Sequence, residues 1–137
     1  VDDYLARFPR DFTVIVKEVK AEARTGGKPV AQVMAAEAER IERAVPAGDI
    51  LVAMDEHGRD MTTVDFSKKI SGWKNEGCGV TFIIGGADGL DPALKAKSRM
   101  MLRLSSMTLP HAFARVLLTE QIYRAWSILA NHPYHRV

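Results

Sequence analysis

Apolar positions recur along this chain in two alternating rhythms: short β-branched runs, and longer stretches with helical spacing. Val1 to Phe8 reads as the end of a helix stopped by Pro9, and Thr13-Val-Ile-Val-Lys-Glu-Val19 reads as a strand. Residues 20–29 are charged and carry Gly26-Gly27 and Pro29, which predicts a loop. Val30 to Ala44 is built of strong helix formers with Val33, Met34, Ala38 and Ile41 near helical spacing; Pro46 and Gly48 end it. Asp49-Ile-Leu-Val-Ala-Met54 predicts a short buried strand, and Asp55-Glu-His-Gly-Arg-Asp60 a polar turn at its carboxyl end. Thr62 or Thr63 can cap a helix running to Asn75, which places Phe66, Ile70 and Trp73 on one face.

Gly79-Val-Thr-Phe-Ile-Ile84 is the clearest buried strand, followed by the turn Gly85-Gly-Ala-Asp-Gly89. Asp91-Pro92 then opens a helix as an N-cap followed by proline at the first helical position. Met100 to Ser105 predicts another strand, and the longest helix runs from Pro110 or His111 to Asn131. On that helix Glu120, Arg124, Ser127 and Asn131 share one face, Arg115 and Thr119 lie on another, and most of the remaining surface is apolar. A helix so apolar is buried on several sides, which in a small domain points to a partner chain. Alternating strands and helices predict an α/β fold, a mostly parallel sheet with helices on both faces, in one domain over residues 1–137. Ligands of such sheets bind outside the carboxyl ends of the strands, here Met54-Asp55, Gly85-Gly86 and Leu104 to Leu109.

Composition narrows the function classes. The chain has 137 residues, 47% of them hydrophobic, enough for one compact core. No run of about 18 or more apolar residues occurs, and the acidic, amphipathic start lacks the features of a signal peptide, so no membrane span is expected. Cys78 stands alone, which excludes an internal disulfide framework and suits a cytoplasmic protein. The net charge of +2 is unevenly spread. From Pro92 onward seven Lys/Arg face one acid, a segment of +6, whereas the first 91 residues carry twelve basic and sixteen acidic side chains, a segment of −4. A basic segment on an acidic domain suits RNA or phosphate contact, and equally an ordinary solvated surface.

Three stretches carry chemistry. Gly85-Gly-Ala-Asp-Gly89 is neither a G-x-G-x-x-G fingerprint nor a P-loop, but its glycines allow close backbone approach to a ligand or simply a tight turn. Leu104-Ser-Ser-Met-Thr-Leu109 offers backbone groups and the hydroxyls of Ser105, Ser106 and Thr108, the edge-on hydrogen bonds an adenine requires between apolar walls such as Met54, Leu104, Met107 and Leu109. An extended loop packed on the core has the same composition. His111, Arg124, Tyr134, His135 and Arg136 form a candidate polar centre: Tyr134 and His135 can stack on an unpaired base, and Arg124 and Arg136 can hold phosphate. The competing reading of the tail is a frayed terminus. No helical H-x-x-x-H and no Cys/His cluster occurs, so no metal site is expected, and the serines lack a nucleophile elbow.

Taken together, Ile83-Ile-Gly-Gly-Ala-Asp-Gly-Leu90, Leu104-Ser-Ser-Met-Thr-Leu-Pro-His111, Arg115, Glu120-Gln-Ile-Tyr-Arg-Ala125 with Trp126, and Asn131-His-Pro-Tyr-His-Arg136 resemble the small bacterial SPOUT methyltransferases that methylate N3 of a pseudouridine in 23S ribosomal RNA. The similarity runs from Tyr4-Leu-Ala-Arg-Phe-Pro9 to the end. It implies S-adenosyl-L-methionine as methyl donor, a homodimer, and an α/β fold with a C-terminal trefoil knot, a rare exception to ordinary chain topology. Carried over residue by residue, the cofactor is held by Met54, Gly85 and Leu104, Ser105, Ser106, Met107, Thr108 and Leu109. Family members commonly have leucine in place of Met54, and open with a strand that this chain, starting within the following helix, does not include. On that basis we expect direct in-line transfer of the sulfonium methyl to N3, with His135 first and His111 second as acceptor of the N3 proton, Arg124 or Arg136 stabilising charge or holding phosphate, and Tyr134 positioning the base. Two other readings keep the same loops: a ribosome-associated RNA-binding protein without catalysis, and a small-molecule methyltransferase.

Overall fold

The computed structural model describes residues 25–85, 89–105, 111–132 and 134, with only the backbone of residues 111 and 112. The predicted helix at the start and the strand at Thr13–Val19 lie outside them. After a 3-10 turn at Thr25–Gly27 come α1 (Val30–Ala44), β1 (Ile50–Arg59), α2 (Thr63–Asn75), β2 (Val80–Ile84), α3 (Pro92–Lys97), β3 (Met100–Leu102) and α4 (His111–Leu129). Local signals set most boundaries. Thr62 accepts the Asp65 N–H at 3.1 Å and opens α2. Asp91 accepts from Ala93 at 3.2 Å, and Pro92 at the first position loses no bond that the helix would have made.

The sheet is parallel, in the order β2-β1-β3. Period-2 alternation along β1 divides its side chains between two cores. On one face Ile50 and Val52 pack with Phe66, Ile70 and Trp73 of α2, Leu102, and Leu118, Ile122 and Ala125 of α4. On the other Ala53 meets Ile83, Ala38 of α1, Leu90, and Leu94 of α3. Helices thus cover both faces, as the alternation of elements predicts. Phe66 and Trp73 each meet Phe82 of β2 edge-on, at ring-centroid separations of 5.9 and 6.3 Å. Trp73→Ala removes the largest side chain of this layer and is expected to cost about 3–5 kcal/mol, read as a lowered urea midpoint at unchanged slope.

Three expectations need correction. Asp55–Asp60 is not a free turn: β1 continues to Arg59, and the register with β3 breaks so that Leu102 faces both Met54 and Arg59. Residues 55–58 are the bulge between those pairings. Its return is pinned by the Arg103 N–H donating to Arg59 O at 2.9 Å, and at Gly58 a Cβ would stand 2.7 Å from the Met101 carbonyl carbon. Only a glycine lets the strands come so close. Second, β3 is three residues long, ending at Leu102 and not at Ser105. Third, α4 stops at Leu129. Asn131 adopts φ 55°, and the N–H groups of Asn131 and His132 donate to Ile128 O and Ser127 O at 3.2 and 2.7 Å. This is a Schellman stop with asparagine in the left-handed position usually held by glycine.

Candidate functional site

The parallel registers place the predicted strand ends side by side. Met54 pairs with Ile84 of β2 and with Leu102 of β3, so Met54, the residue before Gly85 and the residue two before Leu104 share one line across the sheet. After β1 the chain turns to the α2/α4 face, and after β2 to the α1/α3 face. Adjacent parallel strands whose connections part in this way leave a crevice at their carboxyl ends. Met54 and the Ile84–Gly85 end of β2 lie at that switch point. Met54, Ile84 and Leu104 are half-buried against the α2/α4 core, and Ser105 is half-buried beyond them. Apolar walls with a hydroxyl at the rim are the chemistry an adenosyl group requires, so the residues described here fit such a cofactor. Ser106, Met107, Thr108 and Leu109 lie outside the described residues.

Gly85 has a structural reason of its own. It is buried, and a Cβ there would stand 2.4 Å from the Gly89 carbonyl carbon and 2.6 Å from Leu90 N. The Gly89–Leu90 backbone lies against the strand end, so glycine is needed for that packing alone.

The bulge after Met54 supplies a half-buried acid–base pair. Lys95 Nζ lies 3.0 Å from Asp55 Oδ2, and the His57 N–H donates to the other oxygen at 3.2 Å. Burial pushes the Asp55 carboxyl upward, but the Lys95 and His57 bonds outweigh it and hold the group below its ordinary value of 3.8. A carboxylate lowered on folding stabilises the fold fully above its unfolded value, and that contribution is lost as pH falls through the lower, folded one. Lys95→Met leaves Asp55 with its burial penalty. The acid limb of thermal stability, followed from neutrality to about pH 2, should then move to higher pH.

At the far end of α4 the chain returns on itself. Tyr134 meets Tyr123 edge-on at 4.7 Å, and its N–H donates to His132 Nδ1 at 3.2 Å. The Arg124 guanidinium lies 5.2 Å from the centre of the Tyr134 ring, a cation–π geometry. His132 also packs on Trp126 at 5.3 Å. The tail is therefore held at least as far as Tyr134, against the reading of a frayed terminus. Tyr134 and Arg124 are brought together; His135 and Arg136 lie outside the described residues, as does the His111 side chain.

Sequence reasoning missed two features. One is Glu120: its Oε1 accepts from Arg124 Nε at 2.9 Å and from the Tyr134 hydroxyl at 3.2 Å. An acid four residues before an arginine on a helix was the available signal. The other is charge compensation. Lys95, Lys97, Arg99 and Arg103 pair with Asp55, Glu42, Glu76 and Asp60 respectively. The segregation of charge along the sequence is thus largely cancelled in space, and this part of the basic segment does not form an unpaired cationic surface. Arg103 also keeps the exposed Asp60 carboxyl below its ordinary range. Ser127, expected on the polar face, is fully buried, its hydroxyl donating to Arg124 O at 2.7 Å within its own helix.

Among the described residues no cluster of His, Cys, Asp or Glu could hold a metal ion, and no helix is long and apolar enough to cross a membrane. A sequence profile described as "Predicted SPOUT methyltransferase" matches residues 1–135. The Ribosomal RNA large subunit methyltransferase H of Bordetella avium (strain 197N) is 57% identical over 135 residues, covering 98% of this chain and 86% of the relative. The proteins of the same name from Ralstonia pickettii (strain 12J) and Burkholderia cenocepacia (strain J2315) are each 55% identical with the same coverage. With a family profile spanning almost the whole chain, and relatives more than half identical over 98% of it, the chain belongs to the SPOUT methyltransferase family.

Proposed function

We propose that this protein methylates N3 of a pseudouridine in 23S ribosomal RNA, using S-adenosyl-L-methionine, in the cytoplasm and on the assembled ribosome. The observation that carries this reading is identity above one half, over 98% of the chain, to proteins named for methylation of large-subunit ribosomal RNA. The cofactor, when bound, supplies an electrophilic methyl group. Met54, Gly85 and Leu104 to Leu109 would hold its adenosyl part at the crevice, with Ser105, Ser106 and Thr108 reading the base edge.

The chain's own residues then have three tasks. Tyr134 orients the target base by stacking. Arg124 and Arg136 hold phosphate or the negative charge that develops as the N3 proton leaves. His135, with His111 as second candidate, takes that proton, since pseudouridine N3 becomes nucleophilic only as its proton is removed. Fixing acceptor and donor at near-attack distance supplies the rest of the rate.

The reading includes a homodimer and a C-terminal trefoil knot. Phe113, Val116 and Leu117 form an exposed apolar strip on the first half of α4, Phe113 being 62% exposed. A second copy covering this strip would bring the tail of one protomer to the cofactor crevice of the other. Incubating the protein with labelled S-adenosylmethionine and ribosomes lacking the modification, then mapping the labelled nucleotide, tests the proposal. Label at a pseudouridine of the large-subunit RNA is expected; label only on free nucleosides or small molecules overturns it.

A further inference from the structure

Glu120 sits on the exposed-to-buried boundary of α4 with its side chain only 13% exposed, and three donors from three directions converge on it. Arg124 donates through Nε at 2.9 Å and Nη2 at 2.5 Å to Oε1; the Tyr134 hydroxyl reaches the same oxygen at 3.2 Å. Gln121 Nε2 donates to Oε2 at 3.2 Å, and Gln121 Oε1 in turn accepts the Thr63 hydroxyl at 2.8 Å. A half-buried carboxylate so surrounded is more than half of an i,i+4 pair. It joins the two side chains assigned to substrate with a glutamine anchored on the first turn of α2, the helix that follows the bulge at the crevice.

We infer that Glu120 is a positioning residue of the transfer site. It fixes the rotamer of Arg124, holds the returning tail through Tyr134, and ties both to α2 through Gln121 and Thr63. The inference rests on the proposed methyl transfer. The physical need is plain from the side chains involved. Arginine and tyrosine ends swing freely when exposed, and ordering them at the moment of substrate encounter opposes the reaction; a buried anion that orders them beforehand removes that cost. Because bonds to an ionised acceptor are about twice as strong as neutral ones, the negative charge matters as well as the shape.

The test compares Glu120→Gln, which keeps the shape and an acceptor oxygen but loses the charge, with Glu120→Asp, which keeps the charge on a shorter arm. Methyl transfer to ribosomes lacking the modification reads turnover, calorimetry reads S-adenosylmethionine binding, and amide exchange at His132 and Tyr134 reads tail docking without any substrate. In Glu120→Gln, kcat should fall about 100-fold with cofactor affinity unchanged and amide exchange of the tail accelerated. Glu120→Asp should recover part of that turnover. A merely structural role would lower thermal stability yet leave kcat per folded molecule intact. Tyr134→Phe, which removes only the hydroxyl bonded to Glu120, serves as a second probe and should accelerate the same amides. Wild-type kcat and wild-type tail protection in Glu120→Gln overturn the inference alone. A wild-type protein that transfers no methyl to such ribosomes overturns the proposed reaction and the inference together.

Discussion

Gly85→Ala is expected to weaken S-adenosylmethionine binding at least tenfold, a loss of about 1.4 kcal/mol in binding free energy, and to destabilise the fold by about 1–3 kcal/mol. All three nearest neighbours of the added methyl are backbone atoms: Gly89 C at 2.4 Å, Leu90 N at 2.6 Å and Gly89 O at 2.7 Å. No flexible side chain can swing aside, so the loop after β2 must lift from the strand end, and the crevice beside Met54 changes shape with it. Gly72→Ala is the matched control. It lies in α2, exposed, with nothing within 4 Å of the added Cβ, and the change should stabilise by about 0.5–1 kcal/mol, the usual gain over glycine within a helix. Calorimetric titration and thermal melts of the two variants check both numbers. Tight cofactor binding in Gly85→Ala would show that the loop after β2 takes no part in holding it.

His135→Ala should reduce methyl transfer by about 10²–10⁴-fold, the range ascribed to a positioned general acid or base, while leaving cofactor binding near the wild-type value. The argument is chemical. Pseudouridine N3 carries a weakly acidic proton, and a methyl group cannot be accepted at neutral pH unless that proton departs before or during the transfer. His135 directly follows Tyr134, whose ring and hydroxyl are held by Tyr123, Arg124 and Glu120. If Tyr134 stacks on the target as proposed, a base adjacent to it in sequence is the natural candidate to act at the nucleobase edge. Single-turnover transfer measured across pH, in the wild type and in His135→Ala, separates this role from binding. Unchanged turnover in the variant removes His135 from the mechanism and leaves His111 as the candidate.

Local elements were legible because their causes are local. The Val30–Ala44 helix, the Thr62 cap, the Asp91-Pro92 start and the apolar run ending at Ile84 each follow from residues within a few positions of one another. The neighbourhood of the first two predicted strand ends was legible for a different reason: it needs only the parallel topology, and the registers at Met54 bring Ile84 and Leu102 beside it. The bulge at residues 55–58 was not legible, because Arg59 stays extended only through its pairing with β3, some forty residues on. Nor was the Asn131 stop, since asparagine rather than glycine takes the left-handed position and the nearest strong stop signal in the sequence, Pro133, comes two residues later.

Sequence by itself determined the alternation of strands and helices, the two faces of β1, and the residue types that an adenosyl group and a nucleobase would need, all of which depend on periodicity and on side-chain chemistry. Tertiary structure decided which charges remain available and which side chains are held. Lys95, Lys97, Arg99 and Arg103 look like a basic segment until folding brings each beside an acid from residues 42–76. Glu120 looks like an ordinary helix-surface acid until the returning tail sets Tyr134 against it. Electrostatic and hydrogen-bond partnerships fall off over a few ångströms of space, and distance along the chain carries no record of them.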